Sequence, residues 1–149
     1  MEARLTITAS SYVLSYQKDG AWIEVAALPG GSTALLPGDG LPDDAALEMA
    51  IERAEDWVMP HATGLSGGQL EVIDSAGRLG SGLQEVFASQ QRQWSVAQLE
   101  SLFNEIAFRS ARPHTAATLV LHRAFVADLV LLRELAHHAK LQQVRLGGG

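Results

Sequence analysis

The first 28 residues constrain the fold most, because two runs of alternating polar and apolar residues flank one tight turn. The runs "RLTITASSYVLSYQ" and "AWIEVAAL" are rich in β-branched and aromatic side chains, and Lys18-Asp19-Gly20 lies between them. An Asp-Gly pair supplies the positive φ angles that a tight hairpin turn needs. We therefore predict an antiparallel pair of strands over residues 5–17 and 21–28, on which the later segments must pack.

The middle of the chain predicts a loop, a strand and three helices. A loop rich in proline and glycine at 29–42 precedes a helix that has Asp43 or Asp44 as its N-cap and that Pro60 ends. Residues 69–82 indicate a strand, a turn at 74–77 and a short return strand, followed by a helix over 83–93. Ser95 and Gln98 have the spacing of a capping box at the start of a further helix.

The last third of the chain centres on a helix over residues 123–140 that is apolar nearly all round. Such a helix is typical of the buried centre of a domain. Residues 115–121 fit either a strand or the first turns of that helix, and residues 142–146 are typical of a strand. The closing "VRLGGG" resembles the end of ubiquitin-like proteins, but only over six residues, so we interpret the glycines as a trailing linker.

These elements predict an α+β fold in a single domain. The domain covers residues 1–146, and a flexible glycine tail covers 147–149. We expect an antiparallel or mixed sheet that starts with the N-terminal β-hairpin, with the helices packed mainly on one face.

The composition excludes several classes of function. The formal charge is −6 and the chain has two lysines, which argues against nucleic acid and against an anionic membrane surface as partners. The absence of cysteine excludes disulfides, thiol nucleophiles and Cys-based zinc sites. The most apolar stretch contains too many ionisable residues for a lipid span, so we expect a cytoplasmic protein.

Two groups of residues have the spacing of metal ligands. Glu48, Glu52 and Glu55 lie on one stripe of the first long helix, where solvent is the simpler explanation. Glu134-x-x-His137 has the spacing found in di-metal helix bundles, but the chain has only one such motif. We therefore interpret His137 and His138 as imidazoles that complement the dipole at the helix end. No metal or other cofactor is expected.

Motifs for nucleotide binding and for a serine nucleophile are both incomplete. Gly77, Gly80 and Gly82 do not match either nucleotide-binding loop, and a hairpin turn accounts for them. Ser66 lies in "GLSGG", but it precedes a predicted strand, whereas a nucleophile elbow follows one.

Asp128 is the least expected residue of the apolar helix. Its neighbours three and four positions away are apolar, so a buried carboxylate there needs a donor from elsewhere or a shifted pKa. Arg109, Arg112 and Arg123 are the candidate donors, and a structural ion pair or a subunit contact is a simpler explanation than catalysis.

No catalytic constellation emerges, and charged residues are few, at 19%. The leading hypothesis is therefore a non-catalytic interaction or accessory module that acts through protein–protein contact or self-association. The alternative is a small enzyme or a ligand- or metal-binding domain that uses the C-terminal helix. The candidate residues for function or interface are Asp128, Arg133, Glu134, His137 and His138.

Overall fold

The protein folds into a mixed six-stranded sheet with helices on one face, as seen in a computed structural model that describes residues 2–112, 114 and 116–147. The strands are β1 (Glu2–Ile7), β2 (Ser11–Lys18), β3 (Ala21–Pro29), β4 (Gln69–Asp74), β5 (Gln93–Trp94) and β6 (Gln143–Gly147). The helices are α1 (Ser32–Leu35), α2 (Asp44–Leu65), α3 (Arg78–Phe87), α4 (Val96–Ser110), α5 (Ala117–Leu121) and α6 (Arg123–His138). The predicted α+β class is confirmed.

The sheet has the strand order β3-β2-β1-β4-β6-β5. β1, β4 and β6 run parallel at its centre, while β2, β3 and β5 run antiparallel to their neighbours. In this register Ile7 pairs with Asp74, and Ile73 pairs with Gly147. The carboxyl ends of the three parallel strands therefore meet at one edge of the sheet, which we call the carboxyl edge.

The predicted hairpin turn is confirmed, but the first predicted strand is in fact two strands. Asp19 and Gly20 have φ angles of 53° and 82° in the turn between β2 and β3. The run over 5–17 breaks after Ile7, where Thr8 N–H donates to the Ser11 carbonyl across a second turn. The alternation of polar and apolar residues continues through both strands, so the pattern alone hides this break.

The N-caps of α2 and α4 were predicted, whereas the end of α2 and both ends of α3, which was predicted over 83–93, were not. Asp43 accepts a hydrogen bond from Ala46 N–H as the N-cap of α2, and Ser95 and Gln98 form the predicted capping box of α4. Pro60, however, lies inside α2, which continues to Leu65. Burial of Ala62 and Leu65 beyond the proline offsets the hydrogen bond that Pro60 cannot donate.

Helix α3 corrects one further prediction, and helix α5 decides between the two alternatives for residues 115–121. The short return strand and the hairpin turn after β4 do not form, because a loop leads from Asp74 directly into α3. Residues 117–121 form the short helix α5, which is separated from α6 at His122, and Thr115 lies outside the described residues.

Helix α6 is the centre of the core, as its apolar pattern indicates. Eleven of its sixteen residues are buried, including Asp128 and Glu134. It packs against α2, α4 and α3 above the inward-facing strand residues such as Leu5, Leu14 and Val72. β6 extends to Gly147, one residue beyond the predicted domain boundary, and the last two glycines lie outside the described residues.

The helices in the described part of the chain include none that is long and apolar enough to cross a membrane.

Candidate functional site

The five candidate residues of α6 fall into two separate clusters. Asp128 lies in the first half of the helix and contacts residues of the carboxyl edge, whereas Arg133, Glu134, His137 and His138 lie in its last two turns. Six residues separate Asp128 from Glu134, which corresponds to about 9 Å along a helix.

The buried carboxylate of Asp128 is held by two side chains from other elements, which we call the Asp128 network. Arg78, the first residue of α3, donates from Nε to Oδ2 and from Nη2 to Oδ1, both over 2.9 Å. The hydroxyl of Tyr12 on β2 donates to Oδ1 over 2.6 Å. The predicted structural ion pair is confirmed, but none of the three arginines proposed from sequence is the partner.

Burial controls the electrostatics of the Asp128 network. Asp128 has no exposed surface, and this desolvation raises the pKa of its carboxyl above the ordinary value, although the ion pair with Arg78 opposes the rise. Burial and the adjacent Asp128 carboxylate raise the pKa of the Tyr12 hydroxyl well above its usual value. Tyr12 therefore stays protonated and donates its hydrogen bond.

Arg78 connects the Asp128 network to the two loops of the carboxyl edge. Its Nη1 donates to the carbonyl of Thr8 in the β1–β2 turn over 3.1 Å. That turn, residues 8–11, has three hydroxyl side chains, and Thr8 Oγ1 lies 2.8 Å from Ser11 Oγ. The Arg78 side chain remains 17% exposed, so a guanidinium fixed by a buried carboxylate reaches the surface at this edge.

The loop after β4 connects a strand directly to a helix, where the sequence interpretation placed a hairpin turn. Gly77 is the N-cap of α3 with a φ angle of 74°, a conformation that favours glycine. The carboxylate of Asp74 accepts from Leu79 N–H over 3.2 Å and from Gly80 N–H over 2.9 Å, which fixes the loop on the first turn of α3. The glycines therefore shape a loop at the start of a helix.

The second cluster joins α6 to α4 and α2. Arg133 donates to both carboxylate oxygens of Glu100 over 2.7 and 3.1 Å, and to Oε1 of Glu134 over 2.9 Å. The hydrogen bond from Arg133 lowers the pKa of the Glu100 carboxyl. His138 Nε2 lies 2.9 Å from Oε2 of Glu134, so the predicted pair four residues apart is present.

His137 and Ser66 are both exposed. His137 is exposed in the last turn of α6, and its ring packs edge-on to that of His138, with centroids 5.0 Å apart. Ser66 follows α2 and precedes β4, so it is not a nucleophile elbow.

Sequence reasoning missed Arg78, Tyr12 and Glu55 as members of these clusters. Arg78 is 50 residues from Asp128 and Tyr12 is 116 residues away. The only local signal was the glycine pattern after β4, which marked a loop but not the side chain that follows it.

Comparison with known proteins finds similarity only at the level of structure. No protein-family model matches the chain, and no curated protein matches its sequence. Among solved structures, the Ppx/GppA family member of Aquifex aeolicus matches 98% of this chain with a TM-score of 0.65 and 11% identity. The type II variant of the Aquifex aeolicus Ppx/GppA phosphatase matches 98% with a TM-score of 0.67 and 12% identity.

A third structure, an exopolyphosphatase from Cytophaga hutchinsonii ATCC 33406, matches 97% of this chain with a TM-score of 0.61 and 13% identity. The chain spans 51–53% of the length of these three proteins. At such low identity the likeness establishes the fold.

The leading hypothesis of a non-catalytic accessory module is contradicted by these neighbours, which are named as phosphatases or as members of a phosphatase family. They agree better with the alternative of an enzyme or ligand-binding domain. The hypothesis rested on the lack of a recognisable catalytic motif in the sequence.

Proposed function

We propose that this chain is a domain of an enzyme that acts on phosphate esters or phosphoanhydrides, and that the carboxyl edge holds the phosphate group. The observation that carries the proposal is the match of nearly the whole chain to about half of each Ppx/GppA structure. A cytoplasmic location, expected from sequence, belongs to the same proposal.

The position of the carboxyl edge supports this assignment. In sheets with parallel strands, ligands bind outside the carboxyl ends of the strands. Here that edge combines the hydroxyl-bearing turn 8–11 with the loop 74–77 and the amino-terminal end of α3. Hydroxyl groups and backbone N–H groups of loops bind phosphate oxygens in proteins. The N–H groups of Leu79 and Gly80 in the first turn of α3 donate to Asp74, so the turn 8–11 and the loop 74–77 supply these groups here.

Arg78 supplies the positive charge that a phosphate requires. Its guanidinium is fixed by Asp128, which is completely buried and therefore acts as a positioning residue that does not touch the substrate. A fixed cation stabilises the charge that develops as a P–O bond breaks, without reorganisation during the reaction.

The reaction that these groups suit is hydrolysis. The oxygen of a water molecule forms a bond to phosphorus and the bridging P–O bond breaks. The bridging oxygen, which belongs to an alcohol in an ester or to a second phosphate in an anhydride, leaves with the electron pair of that bond. Asp74, at the end of β4, is the carboxylate that we assign to accept the proton of the water. Its hydrogen bonds to Leu79 N–H and Gly80 N–H keep it at the carboxyl edge.

Equilibrium binding of tripolyphosphate tests the proposal. Ser10 is exposed in the turn 8–11, so Ser10→Glu places a negative charge at the carboxyl edge without disturbing the core. We expect calorimetry to show binding by the wild-type protein and at least about tenfold weaker binding by Ser10→Glu, because like charges at close range repel.

Ser66→Glu is the matched control, because Ser66 is exposed before β4 at the opposite end of that strand. This variant should bind tripolyphosphate like the wild type. No binding by the wild type, or equal loss in the two variants, would refute the proposal. Binding is the primary readout because the chain spans half of its structural neighbours, and release of inorganic phosphate is measured alongside it.

A further inference from the structure

Three potential metal ligands from two helices converge at the end of α6. They are Oε2 of Glu134, Nε2 of His138 and a carboxylate oxygen of Glu55 on α2, and all lie within 4.8 Å of one another. His138 Nε2 lies 2.9 Å from Glu134 Oε2 and 4.0 Å from Glu55 Oε2. Glu55 of the acidic stripe on α2 thus forms one cluster with Glu134 and His138 on α6. In the sequence these are separate features.

The Glu134 carboxylate is oriented so that one oxygen faces this cluster. Its side chain is only 4% exposed, and Arg133 Nη1 donates to Oε1 over 2.9 Å. Arg133 is itself fixed by two hydrogen bonds to Glu100. Outer partners of this kind hold a metal-binding carboxylate in place, and here they leave Oε2 directed at His138 and Glu55.

The charges of the cluster suit a divalent cation. Arg133 and Glu100 neutralise each other, so Glu55 and Glu134 together contribute two carboxylates beside the imidazole of His138. One nitrogen and two carboxylate oxygens form a mixed set that suits zinc and similar first-row metals better than calcium or magnesium.

We propose that Glu55, Glu134 and His138 bind one divalent transition-metal ion, with zinc as the best-suited ion and water completing the shell. Zinc ligands lie roughly 3.4 Å apart for bonds of about 2.1 Å in a tetrahedral shell. Glu134 and His138 are already close to that spacing. The Glu55 side chain, which is 47% exposed, rotates inward to complete the site.

This site is independent of the proposed phosphate function, because it lies at the other end of α6 from the Asp128 network. The sequence-based expectation of no metal considered Glu134, His137 and His138 without Glu55. We revise that expectation, because the third ligand comes from a helix about 80 residues earlier in the chain. Bound metal would cross-link α2 to α6 at the surface, beside the end of α6.

Zinc binding to the tag-free, EDTA-treated protein tests the site. The wild type should bind one zinc ion in calorimetry and, at 100 times its dissociation constant, gain roughly 5–10 °C in melting temperature. His138→Ala should abolish this shift. Glu55→Gln, at an exposed position that the fold tolerates, should weaken zinc binding about tenfold or more.

His137→Ala is the matched control, because His137 is adjacent and exposed but lies outside the three ligands. It should bind zinc like the wild type. The site is refuted if zinc does not bind the wild type, if Glu55→Gln binds zinc as tightly as the wild type, or if His137→Ala loses binding as His138→Ala does. If zinc leaves the melting temperature of the wild type unchanged, the cluster consists of ion pairs only.

Discussion

The buried carboxylate of Asp128 depends on Arg78 for its stability. Arg78→Met leaves that charge without its ion-pair partner, which costs about 3–5 kcal/mol of unfolding free energy in comparable buried pairs. Replacing both partners, as Arg78→Met with Asp128→Leu, should recover much of this loss. Urea unfolding of the single and double variants measures both values. If the double variant is as unstable as Arg78→Met alone, the unpaired charge of Asp128 is not the cause of the loss.

The raised pKa of Asp128 predicts a specific pH dependence of stability. Between the ordinary value near 3.8 and the raised folded value, the folded chain binds more protons than the unfolded chain at this residue. Its contribution to stability is therefore largest at low pH and is lost as pH rises through that window. The pKa of Glu100 is lowered, so its contribution to stability has the opposite dependence on pH. That contribution is present above pH 4.5 and is lost as pH falls below this value.

Asp128→Asn separates these two contributions. In the wild type, the contribution of Asp128 to the unfolding free energy falls as pH rises above about 3.8. The variant should not show this fall, because residue 128 no longer titrates, while the contribution of Glu100 remains. Urea unfolding of wild type and variant from pH 4 to 7 measures the difference. The assignment fails if the difference in unfolding free energy between the two proteins is constant across this range.

Single residues were predicted where their own neighbours in sequence determine their environment. Asp128 stood out because apolar residues occupy the positions one helical turn away on both sides. Its partners could not be predicted, because Arg78 and Tyr12 are brought to it by α3 and β2. Glu55 was assigned to solvent for the same reason, since its distance to His138 depends on how α2 packs on α6.

At the scale of elements, the close packing of α3 on α6 depends on Gly82. A Cβ atom at this position would lie less than 3.0 Å from three atoms of Phe125. Gly82→Ala should therefore lower the unfolding free energy by about 1–3 kcal/mol, the usual cost of overpacking.

Gly64→Ala is the matched control in α2, where an added Cβ would meet no atom within 4 Å. Alanine should instead stabilise α2 by about 0.5–1 kcal/mol, because glycine costs more backbone entropy in a helix. Urea unfolding measures both changes, and destabilisation by both substitutions to the same extent would show that packing against Phe125 is not the cause.

Elements defined by local chemistry were predicted and those defined by tertiary contacts were not. The turn at Asp19–Gly20 and the caps at Asp43 and Ser95 need only a few adjacent residues. The continuation of α2 past Pro60 depends on the core that its last turns contact. The break after Ile7 depends on the chain reversing in the turn 8–11, which lets β2 pair antiparallel with β1 while β4 pairs with β1 on its other side.

At the scale of the whole molecule, the class of fold was predicted but its topology was not. Alternating strands and amphipathic helices indicate a sheet covered on one face. The parallel pairing of β1, β4 and β6 depends on crossovers of 60 residues or more, as the register Ile7–Asp74 shows. Without that pairing the carboxyl edge could not be recognised, and the function was wrongly interpreted as non-catalytic.

A protein partner or self-association stays a prediction for this chain. Leu121, at the end of α5, is 82% exposed, and Phe108 on α4 is also exposed. Exposed apolar side chains of this size are compatible with a contact to another chain or to a second copy.

The most direct test of the central claim is to locate the binding site of tripolyphosphate by amide chemical shifts in nitrogen-15-labelled protein. We expect the largest changes in the turn 8–11 and in residues 74–80. The amides of Glu134 and His138, at the end of α6, should be unaffected. Absence of change at the carboxyl edge, or changes centred on His137 and His138, would contradict the assignment of the phosphate site.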